Sequence, residues 1–344
     1  MSCDITETSN RDSEDLPVEH SYAVYFGDLH NHTEFSDGSG IPREAYDYAR
    51  NKAGLDFFAV TDHCYNISQE EWERTRAVAD SANEDDAFVA LWGFEWTSDI
   101  YGHSNVIGTD DYCSINDSAA DSFDELCDWL STRNGVAFFN HPNHRVYHGF
   151  SFDGCSEKFV GMELWSMEDD FWTYYYHDGM ITDDNNRGYY DEALLRGWRI
   201  GAAGGGDNHF STWGTMNDYR LAVVAEACTR KAVMDALEHR RFYSTLDKNL
   251  RLSFRVDGRE MGSTVSGESH TLTVKASDDD GESFTNLVIY NMRHDTVVAD
   301  SLETTNIDTS YFLTSEMPDY FYLKVTQQDE DEAISSPVWV QNYN

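Results

Sequence analysis

Two histidines stand two residues apart in the segment GDLHNHTEFSDG, His30 and His32, and Asp37 follows five residues after His32. In an extended strand, residues i and i+2 face the same side, so both imidazoles converge and the following loop can return a carboxylate to them. Imidazole nitrogens with a carboxylate oxygen are the donors that a divalent metal ion takes. Similar donors stand in AVTDHC (Asp62 and His63), LWGFEW (Glu95), YGHSNVIG (His103), FFNHPN (His141) and AAGGGDNHF (Asp207 and His209). Glu95 lies among bulky apolar residues, where a carboxylate is costly unless a cation or a hydrogen-bond donor satisfies it. Asp62 is assigned a place behind the ligands, orienting a neighbouring imidazole through its ring N–H. The nine remaining candidates are His30, His32, Asp37, His63, Glu95, His103, His141, Asp207 and His209. They exceed the roughly four to six ligands of one ion, and a mixed imidazole and carboxylate set without cysteine suits Zn, Mn or Fe. Two or three divalent ions are expected.

Something must hold these residues together, and the chain pattern indicates what. From residue 22 to about 249, apolar strand-like runs alternate with helical patterns, the sign of an α/β domain with a largely parallel sheet or barrel. Nearly every run ends in His, Asp or Glu, which gathers polar residues at one strand end. Helices are expected over 43–52, 68–83, 122–133, 188–196 and 229–240, with glycines after the first, third and fourth. Beyond residue 249 the runs LRLSFRV, HTLTVKA, TNLVIYN, SYFLTS, DYFYLKV and SPVWVQ alternate inward and outward residues, which predicts a small β-sandwich over 250–344. Residues 1–21 are expected to be a disordered acidic leader.

Composition narrows the partners. The formal charge is -39, from 63 acidic and 24 basic residues spread along the whole chain, with only six lysines. Such a surface suits a protein kept soluble in high salt, where self-repulsion is screened within about 3 Å at 1 M. A halophilic source is expected. No basic stripe is present for an extended nucleic-acid duplex, so an anionic substrate has to be met by bound cations. The six cysteines form no C-x-x-C pair, which suggests a reducing interior. No apolar run approaches the roughly 20 residues of a membrane helix and no signal-like start is seen, so a cytoplasmic location is expected.

Taken in order, HNH, TDH, FEW, GHSN, NHP and GGDNH resemble the motifs of the PHP (polymerase and histidinol phosphatase) family over roughly residues 22–250. The resemblance implies a distorted seven-stranded β/α barrel in which the nine candidates bind a di- or trinuclear centre. It makes Glu95 the best candidate to bridge two ions. The tail is similar to immunoglobulin-like modules appended to some PHP proteins. The implied activity is metal-dependent phosphoesterase chemistry on a small molecule or nucleotide. The ions would lower the pKa of a shared water to provide a nucleophile, and His103, His209 or a metal-bound water would protonate the leaving group. Arg145 and His144, just beyond His141, could clamp a phosphate through the bidentate guanidinium fork. Two other readings compete: amidohydrolase or lactonase chemistry at the same site, and a non-catalytic metal or carbohydrate binder.

Overall fold

The computed structural model describes residues 21–142, 157–167, 171–173, 175, 188–315 and 318–341. The expected leader, His144 and Arg145 lie outside the described residues. The first half is built on β1 (Ala23–Asp28), β2 (Phe57–Val60), β3 (Val89–Ser98), β4 (Gly102–Ile107), β5 (Val136–Phe139), β6 (Phe159–Met167), β7 (Phe171–Thr173), β8 (Gly201–Gly205), β9 (Arg220–Ala225) and β10 (Phe242–Thr245). β1, β2 and β3 pair in parallel, as do β5, β6 and β8. Between these blocks β4 runs antiparallel to both neighbours. Only residues 99–101 separate β3 from β4, too few for the crossover of a dozen or more residues that parallel pairing requires. The largely parallel expectation is therefore interrupted by a hairpin.

The helices are α1 (Pro42–Tyr48), α2 (Gln69–Ala82), α3 (Phe123–Ser131), α4 (Tyr189–Leu195) and α5 (Arg230–Glu238). Ser68, Ser122 and Thr229 cap α2, α3 and α5, each side-chain oxygen accepting from a backbone N–H three residues on. Residues Ala49–Ala53 prolong α1 as a π-helical turn that ends at Gly54, whose φ is 67°. β2 shows how the layers form. Its alternate residues Phe57 and Ala59 enter one buried cluster, with Leu29, Phe138 and the α5 residues Val233 and Leu237. Phe58 and Val60 enter another, against Tyr46 of α1 and Ala79 of α2. A parallel strand buried on both faces is apolar throughout for this reason.

The second half contains β11 (Leu250–Val256), β12 (Arg259–Glu260), β13 (Thr264–Ser266), β14 (Ser269–Asp278), β15 (Phe284–Asn291), β16 (Thr296–Thr304), β17 (Asn306–Thr314), β18 (Asp319–Gln327), β19 (Glu332–Ser335) and β20 (Val338–Gln341). β12, β11, β14 and β17 form a four-stranded sheet. Its inner residues Leu252, Phe254, Leu272 and Val274 share a core with Leu287 and Ile289 of β15 and Leu323 and Val325 of β18. The sequence suggests six strands here. Among those it lacks, β12 and β13 are two and three residues long, and β16 is a mostly exposed edge strand without apolar alternation.

Backbone pairing does not stop at residue 249. β10 pairs with β19, Tyr243 opposite Ser335, so a single 16-stranded sheet runs from the first half into the second. The reading of reduced cysteines is corrected at Cys127 on α3, which is disulfide-bonded. Pairing depends on proximity in the fold, which sequence spacing does not display. Cys64, Cys113 and Cys228 are free and buried. Among the described residues no helix is long and apolar enough to cross a membrane.

Candidate metal centre

The strand ends are laced together by backbone bonds before any side chain is considered. His32 N–H donates to the Asn208 carbonyl at 2.9 Å, Thr61 to Asn31 at 2.8 Å, Cys64 to Glu95 at 2.9 Å and Asn140 to His103 at 3.0 Å. These bonds bring β1, β2, β3, β4, β5 and the loop after β8 to one point. Two residues there have left-handed backbone, His141 at φ 27° and Asp207 at φ 44°. Such conformations are costly for non-glycine residues and are kept where surrounding structure enforces them.

Glu95 is the centre of the cluster and is fully buried. Its Oε1 lies 3.3 Å from His30 Nε2, from His103 Nδ1 and from His141 Nε2. Its Oε2 lies 2.6 Å from His63 Nδ1 and 3.7 Å from His32 Nε2. Asp207 Oδ1 is the second focus, 3.2 Å from His30 Nε2 and 3.1 Å from His32 Nε2. Asp37 stands at the rim, its side chain 51% exposed, 3.4 Å from His63 Nε2 and 3.3 Å from His209 Nε2. All nine sequence candidates therefore meet in one place.

Three overlapping donor sets have the spacing to hold an ion: His32 with Asp37, His63 and His209; His30 with His32 and Asp207; and His30 with Glu95 and His141. The fit is supported by an orphaned atom. His32 Nε2 is buried and has no hydrogen bond of good geometry, although Asp207 Oδ1 is close. Burying a ring nitrogen unpaired is costly, and a cation between imidazole and carboxylate would relieve it.

The electrostatics agree. Burial opposes ionisation of Glu95, but His103 and His30, with hydrogen bonds from His103 and His141, hold its carboxyl well below the usual range. Asp207 is likewise held low, against burial, by His30, His32 and His141. Burial disfavours the charged form of His30 and His141, yet the facing carboxylates prevail: His30 is raised well above its ordinary value and His141 to about 9. For His32 burial prevails and its pKa is lowered. An ion bound by His30 and His141 would therefore have to displace their protons.

Asp62 has a different contact from the one expected. Its carboxylate accepts from Thr33 N–H at 2.7 Å, Thr33 Oγ1 at 2.7 Å and Ser36 Oγ at 2.6 Å, and reaches His32 only through Ser36, 3.4 Å from His32 Nδ1. It pins the loop that carries Asp37. The direct orienting role belongs to Glu163 on β6, which sequence reasoning missed. Its Oε1 accepts from His30 Nδ1 at 2.7 Å and its Oε2 from His141 N–H at 2.5 Å. Asn140 also donates to Glu95 Oε1, at 2.9 Å. The signal that found Glu95, a carboxylate inside an apolar strand, was present in FVGMELW as well.

Glu163→Gln is expected to lower metal affinity and any metal-dependent turnover by about 10- to 100-fold, because the amide no longer fixes the His30 tautomer. Equilibrium dialysis against zinc measures the first and steady-state kinetics the second. Gly205 touches the same pair. A Cβ there would collide with Glu163 Oε1 and His30 Cβ. Gly205→Ala is expected to destabilise the fold by about 1 to 3 kcal/mol in denaturant melts, and to reproduce the Glu163→Gln loss of affinity.

No family model matches the chain. It is similar to an uncharacterized protein of Chlamydia pneumoniae, 24% identical over 359 residues that cover 92% of this chain and 57% of that protein. An uncharacterized protein of Chlamydia trachomatis serovar D is 24% identical over 372 residues, 94% of this chain and 58% of that one. The chain thus spans little more than half the length of the curated relatives it matches. Among solved structures it is similar to a two-domain protein from Bacteroides vulgatus containing a predicted PHP-like metal-dependent phosphoesterase. The TM-score is 0.49 at 16% identity, covering 96% of this chain and 100% of that chain.

Proposed function

We propose that the protein is a metal-dependent hydrolase of PHP type, a phosphoesterase that acts on a small-molecule or nucleotide phosphoester. The observation that supports it best is the convergence of five imidazoles on Glu95, beside Asp207, in three overlapping donor sets. His30, His32, Asp37, His63, Glu95, His103, His141, Asp207 and His209 would hold two or three ions of Zn, Mn or Fe. When bound, such ions supply an activated water near neutral pH and positive charge for the phosphoryl oxygens.

The chain's own residues do the rest. Glu163 and Ser36 fix ring orientation at His30 and His32. Of His103, with about a quarter of its side chain exposed, and His209, whichever is not ligating an ion would give a proton to the leaving oxygen. A cleft of about 600 Å³ opens beside His63 and His103, lined also by Tyr65, Thr97, Asp99 and Tyr101. Among the described residues its lining is acidic, aromatic and imidazole-bearing with no lysine or arginine, so it suits an uncharged or aromatic leaving group while the phosphate faces the centre.

The test is phosphate release by metal-loaded protein from a phosphoester panel at high salt, run beside lactone and amide substrates. Turnover of phosphoesters that disappears with chelator and with Asp207→Asn is expected. Hydrolysis confined to carbonyl substrates would replace the phosphoesterase reading. Unchanged function in both Asp37→Ala and Asp207→Asn would leave a binding protein instead.

A further inference from the structure

Asp28 closes β1 two residues before His30, so it continues the i, i+2 series of the imidazoles His30 and His32. It nevertheless belongs to none of the donor sets that could hold an ion. Both of its oxygens are taken by the backbone. Oδ1 accepts from the His30 N–H and from the Gly206 N–H, each at 3.0 Å, and Oδ2 accepts from the Gly206 N–H at 3.1 Å. The side chain is only 4% exposed, and among the described residues no ion pair reaches it. A carboxylate buried without an ion pair is costly, and N–H bonds to its charge offset part of that cost.

The two N–H groups belong to different arms of the metal centre. One is that of His30 itself. The other immediately precedes Asp207, whose Oδ1 lies 3.2 Å from His30 Nε2 and 3.1 Å from His32 Nε2. The pairing of β6 with β8 ends at Gly205, and beyond it the left-handed Asp207, φ 44°, stands between two anchors. Gly206 is held by Asp28, and the Asn208 carbonyl accepts from the His32 N–H. A non-glycine residue keeps such a conformation only while its surroundings over-determine it. Releasing Gly206 would remove one anchor and let Asp207 relax away from the rings. Gly206 also shows how close the contact is: a Cβ there would lie 2.4 Å from Asp28 Oδ2. Glycine lets the backbone approach the carboxylate this far.

We propose that Asp28 is a positioning residue, a clamp that sets His30 and Asp207 at ligating distance from each other without touching an ion. The proposal rests on the reading of this cluster as a metal centre.

The test uses the full chain, stripped with chelator and titrated with cobalt chloride, whose visible absorption reports ligand geometry. Asp28→Asn keeps the shape of the side chain, but whichever way the amide lies its NH2 faces the Gly206 N–H, donor against donor. Cobalt affinity is expected to fall by about 10- to 100-fold, and the visible bands of the saturated protein to change, in Asp28→Asn and in Gly206→Ala alike. Val233→Ala, in the core beneath α5, controls for stability alone: it should lower the melting temperature and leave cobalt affinity and bands unchanged. Circular dichroism checks the fold of each variant. Should Asp28→Asn fail to fold, Gly206→Ala, whose added methyl meets the far end of the Asp28 side chain, decides alone. Unchanged affinity and bands in the deciding variant overturn the clamp and leave the metal centre standing. An equal loss of affinity in Val233→Ala overturns it too, because general loosening then explains the effect. If the unsubstituted protein binds no cobalt, the metal centre falls and the clamp with it.

Discussion

Replacing Glu95 with glutamine is expected to lower metal-dependent turnover by at least about a thousandfold while the protein remains folded. The carboxylate faces five imidazoles, three through Oε1 and two through Oε2. An amide keeps the shape but offers one oxygen, and its NH2 points hydrogens at ring nitrogens that should be binding an ion. The loss should therefore appear first as metal content, measured by mass spectrometry on dialysed protein, and then as turnover. His103 and His30 are also left without the charge that faces them. Their neighbour His141, raised to about 9 mainly through its hydrogen bond and charge interaction with Glu95, should titrate lower in the variant by NMR. Full metal content and full turnover in folded Glu95→Gln would falsify the placement of Glu95 at the centre.

The second large effect concerns pH. Metal affinity is expected to rise by up to about a hundredfold per pH unit between pH 7 and 9, because His30 and His141 must each give up a proton when they become ligands. The sign follows from the raised values: both rings are held protonated above their ordinary range, so alkali favours the metal. Stability of metal-free protein goes the other way. A His141 pKa of about 9 when folded, against about 6.5 unfolded, gives a contribution that is complete below pH 6.5 and is lost as pH rises through 9. Metal-free and zinc-loaded melting curves should diverge with pH across this window. Calorimetry in buffers of different ionisation enthalpy counts the protons released, and an affinity flat from pH 7 to 9 would remove the two histidines from the ligand set.

Much of this was legible in the chain because local rules and tertiary demands coincide. Ser68, Ser122 and Thr229 cap helices in the way their position before an apolar periodic run predicts, and Gly54, Gly135 and Gly197 follow the helices with positive φ. Donors at strand ends were visible because a polar residue closing an apolar run has little reason to be there otherwise. What was hidden depended on partners. Glu163 lies inside its strand and became intelligible only when His30 and His141 N–H were seen to meet it. Asp62 looked like a ligand's neighbour in sequence, yet loop folding gives it to Thr33 and Ser36. The direction of β4 turned on a three-residue connection, and β16 is an edge strand whose exposure erases the alternation by which strands are recognised.

The pairing of β10 with β19 has a consequence for anyone who would dissect the molecule. Truncation after residue 249 would leave β10 paired with β9 alone and bare a row of amides and carbonyls along Phe242–Thr245, an edge able to recruit another chain. The excised front part would be prone to self-association, and the excised back part would lack the neighbour against which β19 is laid. The two halves are thus better regarded as inseparable partners in expression and engineering than as interchangeable modules.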